Sequence, residues 1–106
     1  MYKYLFQASY TGEGLKGLLK EGGTSRRQAV EKTIEGLGGT LEAFYYAFGY
    51  TDVYAIAELP DNVSTAAFAL IVNAAGTAKV NTTVLMTPEE VDQAVKKSVD
   101  YRPPGQ

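Results

Sequence analysis

LEAFYYAFGYTDVYAIAELPD, Leu41 to Asp61, is the stretch on which the reading of the fold turns. Two apolar, aromatic-rich runs flank Gly49-Tyr50-Thr51-Asp52, and Pro60 closes the second run. Glycine and aspartate between such runs are the composition of a tight turn, so the stretch reads as a β-hairpin. A connection over Gly49 to Thr51 sets Tyr46 opposite Tyr54 and Glu42 opposite Glu58. Two like charges directly opposite are mildly destabilising in solvent, and if they are buried together one carboxyl should be protonated at neutral pH.

Working outward, Tyr2 to Ser9 alternates Tyr2, Tyr4, Phe6 and Ala8 with Lys3, Leu5, Gln7 and Ser9, the period of two that a sheet demands. Residues 10–23 carry Gly12, Gly14, Gly17, Gly22 and Gly23 and read as a loop with one helical turn at Leu15, Leu18 and Leu19; this is the expected mobile segment and the natural lid. Ser25-Arg26-Arg27-Gln28 fits a capping box that opens a helix with Val30, Thr33, Ile34 and Leu37 on one stripe and Gly38-Gly39 as its stop. After the hairpin, Asp61 or Ser64 caps a second helix with Ala67, Leu70, Ile71 and Ala74 on its apolar face and Phe68 and Val72 on a second stripe. Ala78 to Met86 alternates again as a fourth strand. Thr87-Pro88-Glu89-Glu90 starts a last helix with a narrow stripe of Val91, Ala94, Val95 and Val99.

The order strand, helix, strand, strand, helix, strand, plus a terminal helix, predicts an α+β ferredoxin-like plait (βαββαβ) with an antiparallel four-stranded sheet and an extra C-terminal helix. Residues 1–100 form the expected single domain; residues 101–106, with Pro103-Pro104, are expected to be a flexible tail. Sorting the hairpin by parity puts Leu41, Ala43, Tyr45, Ala47, Val53, Ala55, Ala57 and Leu59 under the helices. The opposite set holds Phe44, Tyr46, Phe48, Tyr54 and Ile56, an aromatic face that an antiparallel sheet would normally make polar if it met water. Apolar area is worth roughly 25 cal/mol per Å² when removed from water, so the expected partner is a second copy packed sheet to sheet as a homodimer or higher oligomer.

Composition narrows the chemistry. A chain of 106 residues with 45% hydrophobic and 21% charged residues has the size and balance of one folded domain. A net charge of -2 without a basic block argues against nucleic acid as partner. No apolar run has the length of a membrane span, and MYKYLFQASY lacks the layout of a signal peptide, so a cytoplasmic location is expected. With no Cys and no His, one chain cannot assemble thiol nucleophiles, Ser-His triads or zinc fingers, and acid–base chemistry falls to Asp, Glu, Lys or Tyr. The carboxylates show no metal-ligand spacing, so neither a metal nor a cofactor is expected.

Ser25-Arg26-Arg27, Leu37-Gly38-Gly39, Phe44-Tyr45, Gly49 to Asp52 and Glu58-Leu59-Pro60-Asp61 together resemble the GYD domain family of small bacterial proteins, over roughly residues 2–92. The resemblance implies a ferredoxin-like fold of the dimeric α+β barrel type and little about activity. Where the family signature has Tyr-Asp just after the glycine, this chain reads Gly49-Tyr50-Thr51-Asp52, so Gly49 and Asp52 match and the tyrosine is displaced by one or replaced by Thr51.

The candidate ligand-binding residues are Tyr46 and Tyr54 as aromatic walls, Asp52 as polar anchor and Glu42 or Glu58 as a second carboxyl, in a pocket between the sheet and its partner. Asp52 reads first as a turn residue whose carboxylate bonds backbone amides, with the anchoring role as the alternative. Arg26 and Arg27 near a helix N-terminus oppose the macrodipole and are candidates for an anion site, or for ion pairs with neighbours such as Glu31. Three function classes follow: a homo-oligomeric binding or interaction module; a cofactor-independent enzyme using Asp, Glu and Tyr in an inter-subunit cavity; and an assembly subunit docking another chain through Phe68 and Val72.

Overall fold

The computed structural model describes residues 1–106, in the order β1 (Tyr2–Tyr10), α1 (Gly12–Glu21), α2 (Gly23–Gly36), β2 (Thr40–Tyr46), β3 (Val53–Leu59), α3 (Asn62–Ala75), β4 (Ala78–Leu85) and α4 (Pro88–Val95). The strands form one open, antiparallel sheet in the order β2-β3-β1-β4. Alternation places Tyr4 and Phe6 of β1 on the same face as Ala55 and Ala57 of β3, because Tyr4 pairs with Ala57 and Phe6 with Ala55. These residues are buried with Ile34 of α2, Leu41, Val53, Leu59, Phe68 of α3 and Val80, which makes the helix-covered face the core. Phe6 and Phe68 meet edge to face at 5.1 Å between ring centres.

Local signals set most boundaries. Asp61 accepts the Ser64 N–H at 2.8 Å and so caps α3, and those bonds hold its carboxyl below the usual carboxylate range. Thr87 and Glu90 form the expected capping box of α4, with Pro88 at its start. Gly38, at φ 86°, ends α2: Gly38 N–H donates to Glu35 O and Gly39 N–H to Ile34 O, a Schellman motif.

Five sequence expectations need correction. Residues 12–21 are a helix, not a loop, because Thr11 caps them by accepting the Gly14 N–H and Glu13 pairs with Lys16 along the surface. Gly14 is needed for close approach: a Cβ there would overlap Thr77 O and the Tyr10 ring, where α1 crosses the turn before β4. Ser25 does not cap α2, which begins two residues earlier after Gly22 (φ 86°); its hydroxyl donates to Glu21 instead. The hairpin connection spans residues 47–52, closed by Ala47 N–H to Asp52 O at 2.8 Å. Phe68 lies in the core rather than on an outer stripe, and the large apolar side chains that α3 exposes are Val63, Leu70 and Ile71.

The fifth correction changes the faces. A β-bulge between Leu41 and Ala43 leaves Glu42 as an extra residue on β2. Side chains alternate with period two, so one inserted residue inverts everything beyond it. Leu41 still points at the core opposite Ala57, but Phe44 (opposite Ala55) and Tyr46 (opposite Val53) turn to the helix side. Ala43 and Tyr45, opposite Ile56 and Tyr54, join the open face. Glu42 therefore does not pair with Glu58, whose partner on β2 is Thr40.

Helix α4 buries none of its residues, and Val91, Val95 and Val99 are exposed. The radius of gyration is 16.9 Å with a longest extent of 57 Å; a compact chain of this length would give about 13 Å. The C-terminal segment thus projects from a body made by residues 2–85.

Candidate functional site

Helix α2 leans on β2, and α3 leans on β4 and β3. The two helices straddle the middle of the sheet and leave a cleft of about 520 Å³ between them. Its floor is Phe6 and Ala8 of β1, Val53 and Ala55 of β3, and Val80; its walls include Val30 and Ile34 of α2 and Phe68, Ile71 and Val72 of α3. Of 22 lining residues 18 are hydrophobic, and Arg26 is the one charged side chain among them. The small side chains at Ala8, Ala55, Ala67 and Ala78 keep the space open where larger ones would fill it.

One end of the cleft is polar. Tyr10, Arg26 and Thr77 stand there and also border a smaller hollow of about 170 Å³ under α1, lined by Glu13 and Glu21. Tyr46, turned inward by the bulge, reaches the same end: its hydroxyl donates to Gly23 O at 2.9 Å, and its ring lies against Gly23, where a Cβ would sit 3.0 Å from it. Partial burial, with Tyr10 adding to it and Arg26 opposing it, pushes the Tyr46 phenol up to about 12, so it stays neutral at physiological pH. Arg26 itself faces Glu21 at 3.9 Å, while the other Glu21 oxygen accepts the Ser25 hydroxyl at 3.0 Å.

The residues singled out from sequence are placed apart. Tyr54 is on the open face beside Tyr45, whereas Tyr46 is on the helix face. Asp52 joins the hairpin to the end of β1: its carboxylate accepts the Tyr10 N–H at 2.8 Å and its own N–H donates to Ala8 O. Ser9 reinforces this junction by donating to Tyr50 O at 2.7 Å. Glu42 and Glu58 do come together, around Lys3, at 2.9 and 3.9 Å, on the rim of the open face. The hydrogen bond from Lys3 holds the Glu42 carboxyl below its ordinary value and raises the lysine's own. Arg26 is at the cleft and Arg27 is exposed to solvent, so the two arginines do not form one site. No cluster of three Asp or Glu side chains has the geometry of a metal site, and no helix is long and apolar enough to cross a membrane.

The model of the GYD domain matches residues 4–95. The chain belongs to the GYD domain family. No curated protein and no solved structure matches it. In this GYD domain the matched span takes in β1 from Tyr4 onward, the other three strands, both walls of the cleft and α4 through its last residue.

Sequence reading missed the cleft of the GYD domain, and with it Tyr10 as a site residue. The available signal was the small side chains at Ala8, Ala55 and Ala67, which the sequence reading placed on β1, under the helices and on the second helix without joining them into one space. Ala8 and Ala55 lie on the sheet and Ala67 on α3, and α2 and α3 stand apart over the two strand residues. Nothing in the sequence pattern announced the bulge that sends Tyr46 to this side.

Proposed function

We propose that this GYD domain is a ferredoxin-like plait of the dimeric α+β barrel type that acts as a binding module, taking an apolar small molecule into the cleft between α2, α3 and the sheet. The cleft carries the proposal. Ligand sites generally fall in the range of about 300–1,000 Å³ with apolar walls and a few polar groups at fixed positions. At about 520 Å³, with polar groups gathered at one end, the cleft has that form. The strand order β2-β3-β1-β4 with α2 and α3 on one face supports the plait assignment.

A second copy is the proposed partner for the open face. With the bulge accounted for, the apolar row there is Leu5, Tyr45, Tyr54 and Ile56, with Tyr45 71% and Tyr54 41% exposed. Each hundred Å² of such surface covered is worth roughly 2.5 kcal/mol. The Lys3, Glu42 and Glu58 cluster at its rim supplies charges of both signs for a self-complementary contact. An enzymatic reading draws less support, because the Asp52 carboxylate is engaged by Tyr10 N–H and both glutamates by Lys3.

Isothermal titration calorimetry against a panel of apolar small molecules tests the cleft. One-to-one binding should be lost in Ile71→Glu, which puts a charge on a wall residue that is 70% exposed and so leaves the core intact. Binding that persists in Ile71→Glu would place the ligand elsewhere and overturn the proposal. For the dimer, light scattering should give twice the chain mass for the native protein and a monomer for Tyr54→Glu. A native monomer at low micromolar concentration would refute that part.

A further inference from the structure

We infer that the ligand of the cleft is a monoanion with an apolar body, a carboxylic acid with an alkyl or aryl chain, whose head group is held by Arg26. The inference rests on the cleft being the binding site and deepens it by naming the ligand class.

The charge inventory of the cleft points this way. Its lining has a single charged group, the guanidinium of Arg26, and no acid. An apolar cleft with one cation at its end selects a ligand with one negative charge at one end, since an unpaired charge against an apolar body is costly on either side. The other polar groups at that end are the hydroxyls of Tyr10, Thr77 and Tyr46, with Tyr46 committed to Gly23 O, and the acids of the adjoining hollow, Glu13 and Glu21, which Lys16 and Ser25 engage. Tyr10 and Thr77 are neutral and suited to bonding a carboxylate's second oxygen.

The guanidinium also has capacity to spare. Its ion pair with Glu21 is 3.9 Å long, beyond hydrogen-bond distance, and both side chains are more than a third exposed. An exposed pair of that kind is worth about 0–1 kcal/mol, so exchanging it for an incoming carboxylate costs little. Glu21 keeps its hydrogen bond from Ser25 when Arg26 turns away. The planar fork of arginine binds a carboxylate through two parallel N–H bonds, a geometry the Glu21 contact does not use. Arg26 lies in the opening turns of α2, whose N-cap is Gly22 without a side-chain bond and whose first turn has no acid, so nothing from α2 itself competes for the anion.

The test is calorimetry with three probes of one chain length, decanoate, decanol and decylamine, the ionic two below their micelle concentrations and decanol below its solubility limit, on the native protein, Arg26→Gln and Arg26→Lys. The expected result is decanoate binding at least tenfold more tightly than decanol. Arg26→Gln should bring decanoate down to the decanol level without changing decanol affinity or the melting temperature. Arg26→Lys, which keeps the charge and loses the fork, should fall between. Equal binding of acid and alcohol, or tightest binding of the amine, would overturn the head-group assignment while leaving the cleft as a binding site. Binding of none of the three would overturn the cleft reading itself, and the inference with it.

Discussion

Replacing Asp52 separates a structural carboxylate from a functional one. In the native fold its Oδ2 accepts the Tyr10 N–H at 2.8 Å, at the point where β1 runs past the hairpin and that amide has no ladder partner on β3. Hydrogen bonds to a charged group contribute about 1.5–3 kcal/mol, and the partial exposure of this one places it at the low end. Asp52→Ala removes the acceptor and should cost about 1.5–2 kcal/mol, a fall of about 6–10 °C in melting temperature for a domain of this size. Asp52→Asn keeps a neutral acceptor and should lose about half as much, because a neutral bond contributes about 1 kcal/mol. Urea and thermal unfolding followed by circular dichroism measure both, and the dependence on urea should keep its slope, since the surface buried does not change. Calorimetric affinity for a cleft ligand should be the same as in the native protein. The reasoning is refuted if Asp52→Asn melts at the native temperature yet loses an order of magnitude or more in ligand affinity; Asp52 would then be a site residue.

Two further outcomes follow from close approach and from burial. Gly14→Ala forces a methyl group onto the Thr77 carbonyl and should destabilise by about 1–3 kcal/mol, whereas Gly17→Ala, with open space around it, should leave stability unchanged or raise it; equal melting temperatures for the two would contradict the packing of α1. Burial raises the Tyr46 phenol from the ordinary value of about 10 to about 12, so its protonated form is favoured by the folded state; that contribution is fully present below pH 10 and is lost as pH rises through 12. The stability difference between the native protein and Tyr46→Phe should thus be flat below pH 10 and move against the native protein between pH 10 and 12, and parallel curves across that window would rule the burial out.

The alternation of β1 and β3, the Asp61 cap, the Thr87–Glu90 box and the Gly38-Gly39 stop were all legible in the sequence, because each depends on residues within a few positions of one another. Helix α1 was hidden by its glycines, which lower helix propensity; it forms because Thr11 caps it and because Gly14 can lie against Thr77, a residue 63 positions away. The faces of β2 needed the sheet. No local property of Leu41-Glu42-Ala43 marks the bulge, which arises where Leu41 packs inward while Glu42 reaches Lys3 on another strand.

That one residue of register decides where the aromatic rings go, so the aromatic content of β2 was readable in the sequence but its allocation between core and open face was not. The cleft is non-local in the same way. Its alanines are visible one by one, but whether small side chains bring helices close or leave room between them depends on where α2 and α3 settle. Helix α2 is held over β2 and α3 over β4 and β3, so a cleft remains between the two helices above the buried core. Caps, periods and turns act within a few residues and are written in order along the chain. Register, helix spacing and the company a charged group keeps are set by contacts between distant segments, and only the folded chain decides them.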